Sequence, residues 1–109
     1  MLYLSAPMKE LDNFYQLVKK IVSDKDHYVP ILNDPLAMEK DILYLDKATI
    51  VLAHMPYPSI GVSMEIAYAT FVRKIPTIGY RCSNHLWLDK ILLVNCWDLE
   101  CLKKYLESF

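Results

Sequence analysis

One glutamate lies in an otherwise apolar stretch of the sequence. The residues next to Glu65 are almost all hydrophobic, so its carboxylate lies among apolar neighbours whichever way the segment faces. We predict a helix that begins at Gly61, which places Glu65 near the positive end of the helix dipole and keeps it ionised. An ionised, poorly hydrated carboxylate is a good nucleophile. The alternative is that Glu65 caps the helix or pairs with Arg73 or Lys74.

Two aspartates provide further carboxylates on another predicted helix. Asp41 and Asp46 lie five residues apart, so they do not share a helix face, and one can point to the sheet edge while the other is solvated. Two carboxylates in different surroundings can divide the roles of nucleophile and acid. For either aspartate, a solvated surface position is the alternative.

The loop before the helix of Glu65 has the features of an anion site. Pro58, Ser59, Ile60 and Gly61 offer one hydroxyl and the free N–H groups of a helix start, and such groups bind anions without a glycine-rich loop. The alternative is that Ser59 only caps the helix.

Several aromatic and thioether side chains follow the predicted strands. Tyr3, Met8, Met55 and Tyr57 could line a flat slot for a planar ring such as a nucleobase, although core filling is the alternative for Met8. His54, at the end of a strand, could donate a proton near neutral pH. A structural role is the alternative for this histidine.

The elements that must position these residues alternate along the chain. Short apolar runs predict strands over residues 1–5, 28–32, 49–53, 76–80 and 92–95. The spacing of apolar residues predicts helices over residues 9–22, 36–46 and 61–73, the last mostly buried, and a terminal helix that begins at Asp98. The turn signal Asn33-Asp34-Pro35 ends the second strand.

This alternation predicts the fold class. Right-handed crossovers turn it into an α/β, Rossmann-like three-layer fold with a five-stranded parallel sheet in flavodoxin-like order. The length of 109 residues fits a single domain over 1–109. Ligands of such sheets bind at the carboxyl ends of the strands, where the segments 3–8, 41–46 and 54–65 converge.

Composition excludes several classes of function. Two glycines, where average usage gives roughly eight, cannot form the glycine-rich phosphate loops of common nucleotide-binding motifs. A net charge of −1 argues against a nucleic-acid partner, and no apolar run is long enough for a membrane span. The spacing of Cys82, Cys96 and Cys101 matches no metal site and predicts reduced thiols, and with no signal peptide we expect a cytoplasmic protein without a metal or a cofactor.

Three segments together resemble a known family. They are Tyr-Leu-Ser-Ala-Pro at 3–7, Asp-Ile-Leu-Tyr-Leu at 41–45, and Tyr-Pro-Ser-Ile-Gly-Val-Ser-Met-Glu-Ile-Ala-Tyr-Ala at 57–69. The chain resembles the nucleoside 2-deoxyribosyltransferase superfamily, and its pattern is most similar to that of the 2′-deoxynucleoside 5′-monophosphate N-hydrolases. The third segment is the most specific of the three.

The resemblance implies a role for individual residues. Glu65 stands at the nucleophile of the family, Asp41 at the carboxylate that assists the leaving base, and Tyr3 at the hydroxyl that orients the nucleophile. Ser59 stands where the nucleotide hydrolases contact phosphate, which favours a monophosphate substrate. The loop Pro7-Met8-Lys9-Glu10 is more similar to that of the transferases, and only Lys9 there could meet a phosphate.

We therefore expect a cofactor-free glycosidase for 2′-deoxynucleosides or their 5′-monophosphates, acting as a homodimer or a higher assembly. Members of the family build the pocket across an interface, and eight tyrosines and two tryptophans leave aromatic surface to bury. The first alternative is a nucleotide-binding sensor or interaction module of the same fold without turnover. The second is a related domain that cleaves the glycosidic bond of NAD.

Overall fold

Five strands form one parallel sheet in the computed structural model, which describes residues 1–31 and 34–109. The strands are β1 (Leu2–Ser5), β2 (His27–Tyr28), β3 (Ile50–Ala53), β4 (Thr77–Tyr80) and β5 (Val94–Cys96). Their order across the sheet is β2-β1-β3-β4-β5, and every neighbouring pair is parallel. The predicted α/β fold with a flavodoxin-like strand order is confirmed.

Helices cover both faces of this sheet and complete the three layers. They are α1 (Leu11–Val22), α2 (Ala37–Lys47), α3 (Ile60–Ala67), α4 (Leu86–Ile91) and α5 (Leu99–Leu106). Side chains of α1 and α5 pack on one face, and those of α2, α3 and α4 pack on the other. Helix α3 continues into a π-helical turn, Tyr68–Arg73, which ends at Lys74 in a left-handed conformation with φ 55°.

The strand period of two decides which side chains reach which layer. In β1, Leu2 and Leu4 belong to the core beneath α1 and α5, whereas Tyr3 belongs to the core beneath α2 and α3. Every residue of β1 is buried, as is usual for a parallel strand with helices on both sides. The phenolic hydroxyl of Tyr3 therefore lies on the face of the sheet that α2 and α3 cover.

Several predicted boundaries differ from the structure. Helix α4 was not predicted, because six residues with two apolar positions on the inner side give too short a pattern. The strand predicted over 28–32 is only His27–Tyr28, and Leu32 and the Asn33 turn signal lie outside the described residues. The helix predicted over 61–73 is not mostly buried, since Met64, Phe71 and Val72 are exposed.

The prediction that all three cysteines are reduced thiols is wrong for two of them. Asp98 caps α5 by accepting a hydrogen bond from the Cys101 backbone N–H at 2.8 Å, and this turn brings Cys101 back beside the end of β5. The structure joins Cys96 and Cys101 in a disulfide with Cα atoms 5.6 Å apart. Cys82 is a buried free thiol.

Candidate active site

The Glu65 carboxylate accepts hydrogen bonds from two hydroxyl groups of β1. Tyr3 donates its phenolic hydroxyl to Oε2, and Ser5 donates its hydroxyl to Oε1 over 3.0 Å. Both donors are fully buried, because each belongs to the central part of the sheet. Donors on both oxygens fix the plane and direction of the carboxylate.

The backbone explains why these three side chains meet. Tyr3 and Ser5 are two residues apart on one strand, so they point to the same face of the sheet. Helix α3 follows β3, the neighbour of β1, and packs on that same face through Val62 and Ile66. Glu65 comes three residues after Val62, so the two share a side of α3, and Glu65 faces the carboxyl end of β1.

Burial raises the pKa of Glu65 from its usual value of 4.5 to about 7. The hydrogen bonds from Tyr3 and Ser5 act in the opposite direction, and the nearby Asp41 charge adds to the rise. The structure does not support the prediction that the helix dipole keeps Glu65 ionised despite its burial, because burial raises the pKa. Glu65 is the sixth residue of α3, beyond the first turn, where the dipole effect has fallen off.

Asp41 and its tyrosine partner form the second half of the site. Tyr28, at the end of β2, donates its hydroxyl to Asp41 Oδ1 over 3.0 Å. The pKa of Asp41 is raised by burial, and the hydrogen bond from Tyr28 partly opposes that rise. Because the two carboxylates have different donors and different burial, their protonation states can differ at the same pH.

A cavity of about 480 Å³ lies between these two carboxylates and the surrounding loops. Its volume is within the range of small-molecule sites. The sequence-predicted residues that line it are Glu65, Asp41, Pro7, Met8, Tyr57, Ser59 and Gly61, and they are joined by Ala6, Lys9, Leu11, Pro30 and Val62. Tyr3 reaches this group of residues through its bond to Glu65.

The loop that was predicted as an anion site forms one wall of the cavity. The Ser59 hydroxyl accepts a hydrogen bond from the Val62 N–H over 3.4 Å and so caps α3, as the alternative interpretation of Ser59 proposed. A Cβ atom added at Gly61 would meet nothing within 4 Å, so the backbone there is open to an approaching ligand. Lys9 is the cation that lines the cavity in the described part of the chain.

His54 and Met55 do not lie at this cavity, contrary to the prediction that they bind the substrate. His54 continues the Ile50 and Leu52 side of β3, so it points to the opposite face of the sheet. There it stacks on Phe14 with ring centroids 4.9 Å apart and donates Nδ1–H to the Tyr80 carbonyl over 2.7 Å. Met55 is buried beneath α3 and borders a separate cavity between α3 and α4.

The position of Arg73 bears on two alternatives from the sequence: that Arg73 pairs with Glu65, and that one of the two aspartates is solvated. Its guanidinium donates to the carbonyls of Leu45 and Ala48 over 3.2 and 3.1 Å and lies 3.9 Å from Asp46. Arg73 therefore does not pair with Glu65. Asp46 is the solvated member of the aspartate pair and accepts a hydrogen bond from the half-buried Tyr68.

Sequence reasoning missed two residues of the site that patterns in the chain could have indicated. Ser5 shares the face of Tyr3 because the two are separated by two positions in a strand. Tyr28 aligns with Tyr3 in the register of β1 and β2, so its side chain points to the same face. The second signal depends on knowing the register, which the sequence does not provide.

Within the described residues, no cluster of three or more His, Cys, Asp or Glu side chains could hold a metal ion. None of the described helices has both the length and the apolar character needed to cross a bilayer. No protein-family model matches the chain, and no curated protein is significantly similar to it in sequence.

Proposed function

We propose that this protein cleaves the N-glycosidic bond of 2′-deoxynucleosides or their 5′-monophosphates. The observation that carries the proposal is the Glu65 carboxylate, oriented by the Tyr3 and Ser5 hydroxyls at the wall of a cavity that Asp41 also lines. Retaining glycosidases use such a pair of carboxyl groups in divided roles. The sequence resemblance assigns these roles to the same residues.

In the proposed mechanism, ionised Glu65 attacks the anomeric carbon of the sugar through an oxocarbenium-like transition state. The carbon–nitrogen bond breaks, and the departing base takes a proton from Asp41, directly or by relay. This leaves a glycosyl ester on Glu65 and a free base. Water, or a second base, then attacks the same carbon and regenerates the Glu65 carboxylate, with Asp41 taking up the proton.

The mechanism requires Glu65 to be ionised while Asp41 carries the proton. Burial raises the pKa of Asp41, which increases the fraction that carries a proton for the leaving base. The hydrogen bonds from Tyr3 and Ser5 oppose the burial of Glu65, which preserves an ionised fraction near neutral pH. Two successive displacements retain the anomeric configuration when a base accepts the sugar.

The walls of the cavity favour an anionic substrate over a neutral one. Lys9 and Ser59 line the cavity, and α3 begins beside Ser59. A lysine charge and a helix N-terminus both attract a phosphate group. We therefore propose the 5′-monophosphate as the preferred form of the substrate.

A panel assay tests the function. The purified protein is incubated with deoxynucleosides, their 5′-monophosphates and NAD, and free base is measured by chromatography. We expect base from deoxynucleotides and a decrease of at least about 100-fold in Glu65→Ala, the lower end for a group central to the chemistry. Binding without base release would favour the sensor, and nicotinamide release from NAD alone would favour the NAD-cleaving alternative.

We further propose that the protein acts as a homodimer or a higher homo-oligomer. The layer formed by α3, the π-helical turn after it and α4 exposes large apolar side chains, among them Met64, Phe71 and Trp87, whose exposed fractions are 67%, 61% and 67%. Such a patch is typical of an interface between subunits. Light scattering tests this, and a monomer that turns over substrate would exclude a pocket shared between subunits.

We also propose a cytoplasmic location, and the oxidation state of Cys96 and Cys101 tests it. Cytoplasmic thiols are kept reduced in most organisms, whereas the structure joins these two residues in a disulfide. Thiol labelling of the protein in freshly lysed cells tests the point. Labelling that is blocked until a reductant is added would argue for an oxidising compartment.

A further inference from the structure

The Asp41 carboxyl group is held by a side chain to which neither the sequence pattern nor the resemblance gives a role. Asp41 lies in α2 and lines the cavity, and its side chain could adopt several rotamers. The Tyr28 hydroxyl donates to Oδ1 over 3.0 Å and so selects one of them. We propose that Tyr28 positions Asp41 for the reaction, with Tyr44 holding Tyr28 in place; this inference rests on the proposed function.

The ring of Tyr28 is fixed from both sides. It stacks on Tyr44 with centroids 3.9 Å apart and planes 8° from parallel, and it contacts the Tyr3 ring with centroids 5.5 Å apart. Tyr44 is three residues after Asp41 on α2, so the two side chains share one face of the helix. The same helix therefore supplies both the carboxyl group and the ring that supports its donor.

Tyr28 also connects Asp41 to the sheet that carries the donors of Glu65. Tyr28 is paired with Tyr3 in the register of β2 and β1, and Tyr3 donates to Glu65. The titratable groups that interact with Asp41 are Tyr28 from β2, Tyr3 from β1 and Glu65 from α3, and Lys9 from the loop before α1 lines the same cavity. Of these groups, Tyr28 donates directly to Asp41, so its removal changes both the orientation and the ionisation of the carboxyl group.

The test uses Tyr28→Phe, which removes the hydroxyl and keeps the stacked ring. The chain offers a matched control in Tyr68→Phe. Tyr68 donates a hydrogen bond over 2.6 Å to Asp46, an exposed residue of α2, the helix that also carries Asp41. Carbon-13 NMR of the side-chain carboxyl groups reports the pKa of Asp41 without any substrate. This readout is independent of activity.

In Tyr28→Phe we expect the pKa of Asp41 to rise by about 1, a tenfold change in its ionisation constant, because a hydrogen bond to a charged group is lost. In Tyr68→Phe the pKa of Asp41 should not change. An Asp41 pKa in Tyr28→Phe that stays within about 0.2 of wild type would overturn the proposal, since a lost charge-assisted bond has a larger effect.

The activity arm separates a positioning role from general destabilisation. We expect Tyr28→Phe to lower kcat by about 10-fold with little change in KM, the pattern of an interaction made in the transition state, and Tyr68→Phe to retain wild-type kinetics. Wild-type kcat in a folded Tyr28→Phe would overturn the positioning role. If wild type releases no base, the proposed function fails, and the NMR arm still decides whether Tyr28 holds Asp41.

A reciprocal measurement covers the case in which Tyr28→Phe does not fold. Burial raises the pKa of Tyr28, and the hydrogen bond to Asp41 and the negative charge of Asp41 raise it further. In Asp41→Asn the pKa of Tyr28 should therefore fall, as followed by NMR of labelled tyrosine. A Tyr28 pKa that is the same in both proteins would contradict the interaction.

Discussion

Replacing Glu65 by Gln should make the protein more stable, and the gain should depend on pH. The folded state binds a proton on Glu65 more tightly than the unfolded chain does, since burial raises its pKa from 4.5 to about 7. The favourable contribution of the protonated group is complete below the unfolded pKa and is lost as the pH rises through the folded pKa. Above pH 7 the ionised, buried carboxylate therefore costs stability.

The size of the effect follows from the difference between the two pKa values. Each pKa unit corresponds to about 1.4 kcal/mol, so the full cost of ionising Glu65 is about 3.5 kcal/mol. Glutamine keeps the size of the side chain and carries no charge. Between about pH 5 and about pH 8, the free energy of unfolding of Glu65→Gln relative to wild type should increase by about 2.5 kcal/mol.

Urea denaturation of both proteins at the two pH values measures this difference directly. Glu107→Gln, at an exposed position in the C-terminal segment after α5, measures the effect of removing an exposed carboxylate under the same conditions. A stability difference between Glu65→Gln and wild type that is equal at both pH values would refute the reasoning. Burial would then not control the ionisation of Glu65.

Three further predictions test other parts of the structure. Ser5→Ala removes a hydrogen bond that lowers the pKa of Glu65, so the acid limb of the pH–rate profile should move to higher pH; an unchanged profile would show that Ser5 does not act on Glu65. Ser59→Ala removes the helix cap and should lower the free energy of unfolding, measured by urea denaturation, by about 1 kcal/mol. It should also weaken the binding of monophosphates more than the binding of nucleosides, as measured by titration. Gly79→Ala places a Cβ atom 2.8 Å from a leucine side chain and should destabilise the protein by about 1–3 kcal/mol. In Gly61→Ala the added Cβ atom meets nothing within 4 Å, so this variant should not be destabilised. Equal melting temperatures of the two variants would contradict the prediction.

The fold could be predicted because its signals are local and repeated. Apolar runs such as 49–53 and the helical spacing in 9–22 each identify one element, and the alternation of strands and helices then leaves few topologies. Helix α4 was not predicted because its six residues are too few to show a helical spacing of apolar residues. The exposure of apolar residues in α3 was not predicted, because composition alone cannot distinguish an apolar side chain in the core from one on the surface.

The candidate site could be predicted only in part, and the reason lies in which face of the sheet each residue occupies. Asp41, Ser59 and Glu65 line one cavity as expected, because all three follow the carboxyl edge of the sheet. His54 is at the same edge but on the opposite face, which the strand period already determines. The pKa of Glu65 could not be predicted, since the balance of burial and hydrogen bonds depends on neighbours from β1.

The most direct measurement of the central claim is the chemical state of Glu65 during turnover. Wild type and Glu65→Gln are mixed with a deoxynucleoside monophosphate, quenched rapidly, digested and examined by mass spectrometry. The proposed mechanism predicts one deoxyribosyl phosphate group on the peptide that contains Glu65 in wild type and none in Glu65→Gln. Release of free base with the sugar on another residue, or with the same yield from Glu65→Gln, would contradict the role of Glu65 as the nucleophile.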